Sequence, residues 1–123
     1  MQVGSIIRIA DNSGVCFLRI IKVLAKKPLG RAKTGDFIVG SVLRIHQRKK
    51  FKVSKGSICR AMIIRSADIL KRKDGQRLKF QFSAAVIVSR NGTPRSTKIY
   101  GPIPKELRES GYIRLVSLSS IAI

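Results

Sequence analysis

Apolar and polar residues alternate along most of this chain with the two-residue period of strands rather than the 3.6-residue period of helices. Ser5 to Ile9 puts Ile7 and Ile9 on one side and Arg8 on the other, then stops at Ala10-Asp11-Asn12-Ser13-Gly14. Asp and Asn side chains bond their own backbone and Gly accepts positive φ, so this run predicts a tight turn into a second strand. That strand, Phe17 to Leu24, carries Phe17, Ile21 and Val23 on one face and Leu18, Ile20 and Leu24 on the other, broken by Arg19 and Lys22. The pattern predicts a strand central to a closed sheet, with much of it covered on both sides. After a Pro- and Gly-containing loop, Lys26 to Lys33, and a turn at Thr34-Gly35-Asp36, the strand Phe37 to Ile45 places Phe37, Val39, Leu43 and Ile45 opposite Gly40 and Arg44. A glycine in mid-strand predicts a bulge or sharp bend, the device by which small barrels close.

The middle of the chain, Arg48 to Phe80, sets an apolar run (Ile58, Cys59, Ala61, Met62, Ile63, Ile64) between two cationic arms. It predicts a buried strand from Ile58 to Arg65, entered through a Lys55-Gly56 turn. Asp74-Gly75 is a hairpin signal whose flanks, Ile69 to Lys73 and Gln76 to Phe82, predict a two-stranded arm. Ala84 to Val88 is a further apolar strand, and Ser89 to Lys98 a polar, cationic loop. Gly101-Pro102 reads as a turn. Pro104 at a first helical position, Glu106 in the first turn and Gly111 at the end predict one short helix over Pro104 to Ser110. For Tyr112 to Ile123 the periodicity fits a helical turn or a strand. Five or so short strands with one brief helix indicate a small all-β barrel, residues 1–123 forming a single domain with 104–123 as its helical or extended C-terminal region.

Charge changes the picture. Arg48 to Phe80 holds twelve cations against Asp68 and Asp74, and the whole chain has 26 Lys+Arg against 6 Asp+Glu, a net charge of +20. Such a density repels itself unless a polyanion neutralises it, and counterion release from phosphate would drive binding. With 44% hydrophobic residues the chain is not a disordered basic tail. No apolar run approaches the roughly 18 residues of a membrane span. The first residues resemble neither a secretory signal nor a transit peptide, so a soluble protein is expected, one that stays where it is made or has lost a leader. Cys16 and Cys59 are read as small apolar core residues, and His46 as a polar loop residue rather than a metal ligand or base. The six carboxylates are scattered and no nucleophile has a base beside it, so no enzyme, cofactor or metal is expected. Seven aromatics, several at core-like positions, argue against base stacking as the main binding mode.

Four stretches fall in a familiar order: ADNSG at Ala10 to Gly14, KVSKGSICRAMIIRS with its Lys-Gly turn, KRKDGQRLKF, and TKIYGPIPKELRESGYIRLVSLS from Thr97 to Ser119. Together they resemble the universal large-subunit ribosomal protein fourteen family, over nearly the whole chain. The resemblance implies a closed five-stranded β-barrel with a projecting β-hairpin and a short helical C-terminal region, bound directly to large-subunit rRNA. It further implies a place at the inter-subunit face with bridges to small-subunit rRNA, ribosomal proteins three and nineteen as neighbours, and the ribosomal silencing factor as a partner on a face that includes Thr97, Lys98 and Arg114. Lys98 stands where the family usually has Arg. Gln81-Phe82-Ser83-Ala84 replaces the usual acidic-Asn segment, and Thr93 to Lys98 replaces the usual PIGTR lead-in. These departures, with many Ile, Phe, Ser and Lys residues, suggest a mitochondrial member, a bacterial or plastid one being the alternative.

The function expected is therefore that of a structural constituent of the large subunit acting in translation. A free single-stranded nucleic-acid chaperone on an OB-like barrel is the other reading, and a cationic metal nuclease a third. Phosphates are expected at Lys26, Lys27, Arg31, Lys33, Arg48, Lys49, Lys50, Lys52, Lys55, Lys71, Arg72 and Lys73, with Ser13, Asn91, Thr93 and Ser96 adding neutral hydrogen bonds. Recognition should be of folded RNA shape rather than of a linear sequence.

Overall fold

The computed structural model describes residues 3–24, 34–45, 55–67, 70–71, 73–109 and 113–123. Strands β1 (Ile6–Ile9), β2 (Val15–Val23), β3 (Phe37–Ile45), β4 (Ile58–Arg65) and β7 (Ala84–Val88) close into a barrel in the order β1-β2-β3-β4-β7. Neighbours run antiparallel except at the seam, where β1 pairs with β7 in parallel. Closure leaves the sheet no free edge. The interior is filled by Ile7, Leu18, Ile20, Ile38, Val42, Ala61, Ile63 and Ile87 among others.

A second core lies outside the barrel wall. Met62 and Ile64 of β4 and Val86 and Val88 of β7 pack against Ile99, Ile103, Leu107 and Leu115 of the C-terminal region. Each of these two strands is thus apolar on both faces, Cys59, Ala61 and Ile63 turning in and Met62 and Ile64 turning out. That is why both read as unbroken apolar runs. Ile58, at the mouth of β4, is the exception to the expected burial, at 69% exposed.

Two strands differ from the expectation. β2 does lie between β1 and β3, but only one face of it is covered: Leu18 and Ile20 are buried, whereas Ile21 is 47% exposed. The register against β3 shifts between Ile20 and Lys22, and the extra residue turns Val23 rather than Lys22 toward the interior, opposite Ile38. In β3 the inward side is Ile38, Gly40 and Val42, while Phe37, Val39 and Leu43 are half-buried on the other. Gly40 sits opposite Ile20, beside that bulge. A Cβ there would lie 2.5 Å from the Arg19 carbonyl oxygen and 2.7 Å from Leu18 Cγ, so the close approach of β2 admits no side chain.

The Asp74-Gly75 hairpin forms, Asp74 Oδ1 accepting from the Gln76 amide at 3.0 Å, but its strands β5 (Leu70–Lys71) and β6 (Arg77–Leu78) pair over only two positions. The alternation of Leu78, Phe80 and Phe82 does not extend the arm, because Phe80 turns back to the barrel, its amide donating to Ser66 O at 3.3 Å. Gly101-Pro102 is not a reversal. A strand, β8 (Ile99–Ile103), runs through it in parallel with β9 (Ser119–Ala122), and Gly101 at φ 81° marks a register irregularity instead. Helix α1 spans Glu106–Glu109, inside the expected Pro104 to Ser110. The segment of undecided periodicity is both things in turn, α2 (Ile113–Leu118) and then β9.

Candidate nucleic-acid interface

Because residues of a strand alternate faces, every cation placed between two inward apolar residues of β1 to β4 projects from the barrel wall. The register aligns them in rows. Ile6, Arg19, Ser41 and Ile58 form one row across β1 to β4, Arg8, Phe17 and Arg44 a second across β1 to β3, and Lys22, Val39 and Arg60 a third across β2 to β4. Arg8, Arg19, Lys22 and Arg44 are exposed and Arg60 half-exposed, giving a cationic wall on the outer surface of β1 to β4. None of these five was among the expected phosphate contacts. The signal was present in sequence, since Arg8 lies between Ile7 and Ile9 and Arg19 between Leu18 and Ile20. Such positions face solvent or a partner.

The Ala10 to Gly14 turn is more than a reversal. Asp11 is 3% exposed, and its Oδ2 accepts from the Ile87 amide of β7 at 2.9 Å while Oδ1 accepts from the Ser13 amide at 3.0 Å and from the Ser13 hydroxyl. Asn12 faces the opposite way and clamps the end of the 89–98 loop. Its Oδ1 accepts from the Thr97 and Lys98 amides at 3.1 and 3.2 Å, and its Nδ2 donates to Thr97 Oγ1 at 2.8 Å. Two residues beyond Lys98, the Tyr100 amide donates to Ala10 O at 2.7 Å. Two adjacent side chains, a carboxylate and an amide, thus tie a barrel strand on one side to the exposed loop on the other.

This arrangement brings Ser13, Thr97 and Lys98 together. Thr97 and Lys98 are exposed, and Lys98 Nζ lies 5.8 Å from the centroid of the Tyr100 ring. Ile99 at the start of β8 pairs with Ser119, directly after α2, so exposed Arg114 belongs to the element next to that loop end. Ser96 Oγ is buried with no hydrogen-bond partner among the described residues. Asn91 is exposed at the loop tip beside Gly92, and the half-buried Thr93 accepts from the Ser89 amide through its carbonyl at 2.8 Å. Arg60 Nη1 donates to Arg90 O at 3.3 Å, joining this loop to the cationic wall. Lys55 is exposed on the β3–β4 turn and Lys73 on the hairpin turn, while Lys71 pairs with Arg77 in the separate β5–β6 sheet. Lys26, Lys27, Arg31, Lys33, Arg48, Lys49, Lys50, Lys52 and Arg72 lie outside the described residues, as does His46.

One cation is structural. Arg65, half-buried at the end of β4, donates through Nη1 to the carbonyls of Tyr100 and Pro102, both at 2.9 Å, and burial lowers its pKa from the ordinary value. Guanidinium stays charged nonetheless. A Cβ on Gly101 would come 2.5 Å from that same Nη1, so the glycine makes room for the arginine. Cys59 is a buried free thiol whose pKa is raised by burial, partly opposed by the charge of Arg95, which keeps it protonated and inert. Cys16 is free and half-buried.

A family model described as ribosomal protein L14p/L23e matches residues 1–123. The large ribosomal subunit protein uL14 of Petrotoga mobilis is 39% identical to the chain over 119 residues, covering 97% of this chain and 96% of that protein. An identity of this size over the whole length, on a closed five-stranded barrel with a cationic wall, leaves one conclusion: the chain belongs to the ribosomal protein L14p/L23e family.

Proposed function

We propose that the protein is a structural constituent of the large ribosomal subunit that binds large-subunit rRNA directly and carries no catalytic step of its own. The observation that carries this reading is the family match over residues 1–123. The barrel's outward rows of Arg8, Arg19, Lys22, Arg44 and Arg60 support it, because phosphates need a fixed array of cations and a closed sheet holds one without rearrangement. The cations of 26–33, 48–55 and 71–73 are further phosphate contacts in this reading, with Ser13, Asn91, Thr93 and Ser96 adding neutral hydrogen bonds. The Ser13 hydroxyl already donates its one hydrogen bond to Asp11, so its part is to accept, from a ribose hydroxyl for example, rather than to donate to phosphate.

Thr97, Lys98 and Arg114 form the proposed inter-subunit face, bridging to small-subunit rRNA and open to the silencing factor when the subunit is free. Ribosomal proteins three and nineteen are its proposed protein neighbours. Its compartment is the ribosome of a mitochondrion on compositional grounds, although the Petrotoga relative is bacterial. Sedimentation of a lysate tests the whole proposal: the protein should travel with the large subunit, and recovery at the top of the gradient would favour the free chaperone instead. Mass spectrometry of large subunits purified from each compartment decides the location.

A further inference from the structure

Beside the seam of the barrel, the residues after the hairpin and the start of β8 enclose an open cleft of about 390 Å³, lined chiefly by Arg8, Arg65, Phe80, Phe82, Tyr100 and Pro102. Two of its aromatic rings are poorly covered for their size, Phe82 at 53% and Tyr100 at 51% exposed. The Arg8 guanidinium lies over the Phe82 ring at 4.5 Å from its centroid, and Arg65 is fixed by its two carbonyl bonds. No carboxylate is among the described residues that line it. We propose that this cleft receives one splayed-out nucleobase of a single-stranded rRNA segment, stacked on the Arg8–Phe82 pair.

The chemistry argues for that occupant. At the lower end of the ~300–1,000 Å³ range of small-ligand clefts, the space suits a nucleoside rather than a helix. Aromatic faces and guanidinium planes are the surfaces on which unstacked bases lie, and the guanidinium edges remain available to the phosphate that follows the base. A protein segment docking here would gain nothing from two arginines unless it were acidic, whereas any RNA strand is anionic at every residue. The site is an addition to shape recognition by the cationic wall, not a substitute for it. It rests on the rRNA reading above but can fail separately.

The full chain should bind a short oligoadenylate more tightly than an abasic ribose–phosphate oligomer of equal length and charge. Phe82→Ala should remove that preference, lowering oligoadenylate affinity roughly tenfold or more. Phe82→Tyr, which keeps the stacking face, should retain it. Phe82 is exposed, so neither change threatens the fold. Equal affinity for both oligomers, or a preference that survives Phe82→Ala, overturns the cleft while leaving the rRNA reading intact. Failure to bind either oligomer, together with absence from the large subunit, overturns that reading itself. Ultraviolet cross-linking of native large subunits supplies the second measurement: a nucleotide adduct on the peptide holding Phe80 to Phe82 or on that holding Tyr100 is expected. A cross-link from these residues to another protein would show that a peptide fills the cleft and would sink the proposal.

Discussion

Asp11 shows how much one side chain can hold when it is buried with every oxygen engaged. Its carboxylate serves the Ile87 amide on one side and Ser13 on the other. Asp11→Ala would leave a strand amide inside the barrel wall without a partner, a cost of about 1–3 kcal/mol. The urea midpoint should fall accordingly with the m-value unchanged, and an unaltered midpoint would contradict the role. Gly40 is constrained for a different reason, which is volume rather than charge. Gly40→Ala drives a methyl into the Arg19 carbonyl and Leu18, and backbone cannot yield as a flexible side chain can. Destabilisation of at least about 1–3 kcal/mol is expected, read as a lowered thermal midpoint. The alternation in sequence marked Gly40 as a place where the strand bends. It did not mark which side faced inward, because that depends on the neighbour across the ladder.

At the scale of elements, the 89–98 loop takes its place from contacts remote in sequence. Asn12 is more than eighty residues from Thr97 and Lys98, yet its side chain binds both of their amides. Asn12→Ala should therefore speed hydrogen exchange at the Thr97 and Lys98 amides while β3 and β4 amides keep their protection. Equal exchange in the two proteins would mean that the loop is held by something else. The C-terminal region depends on tertiary contact more heavily still. Helices as short as α1 and α2 are not stable alone in water, and they persist here through Leu107 and Leu115 on the outer faces of β4 and β7. This explains why Tyr112 to Ile123 could not be assigned from its period: six residues of helix are followed at once by four of strand, and neither stretch is long enough to establish a period. It also explains the misreading of Gly101-Pro102, whose turn-like composition answers to the entry of Arg65 and not to a reversal of the chain.

Across the whole molecule, the +20 charge sets the thermodynamics of binding. Affinity for an rRNA fragment should fall steeply as salt rises. Replacing Arg19 and Arg60, which project from β2 and β4, by Ala should reduce the log–log slope by up to about two if both meet phosphate, with little effect on stability. A slope that stays the same would remove the barrel wall from the interface and leave binding to the loops. The same pair of substitutions in Lys49 and Lys50 gives the comparison for the loops, so the two sets of slopes apportion the surface.

The sequence alone determined the strand periods, four of the turns, the class of fold and the large net positive charge, since each follows from local spacing or from a sum over residues. The family resemblance was also legible there. Tertiary structure alone decided which face of β3 turns inward, that β4 and β7 serve two cores, that Asp11 and Asn12 clip a barrel strand to a distant loop, and that Arg8 meets Phe82 across a cleft. These are pairings between segments far apart in the chain, and a one-dimensional pattern carries no term for who stands opposite whom.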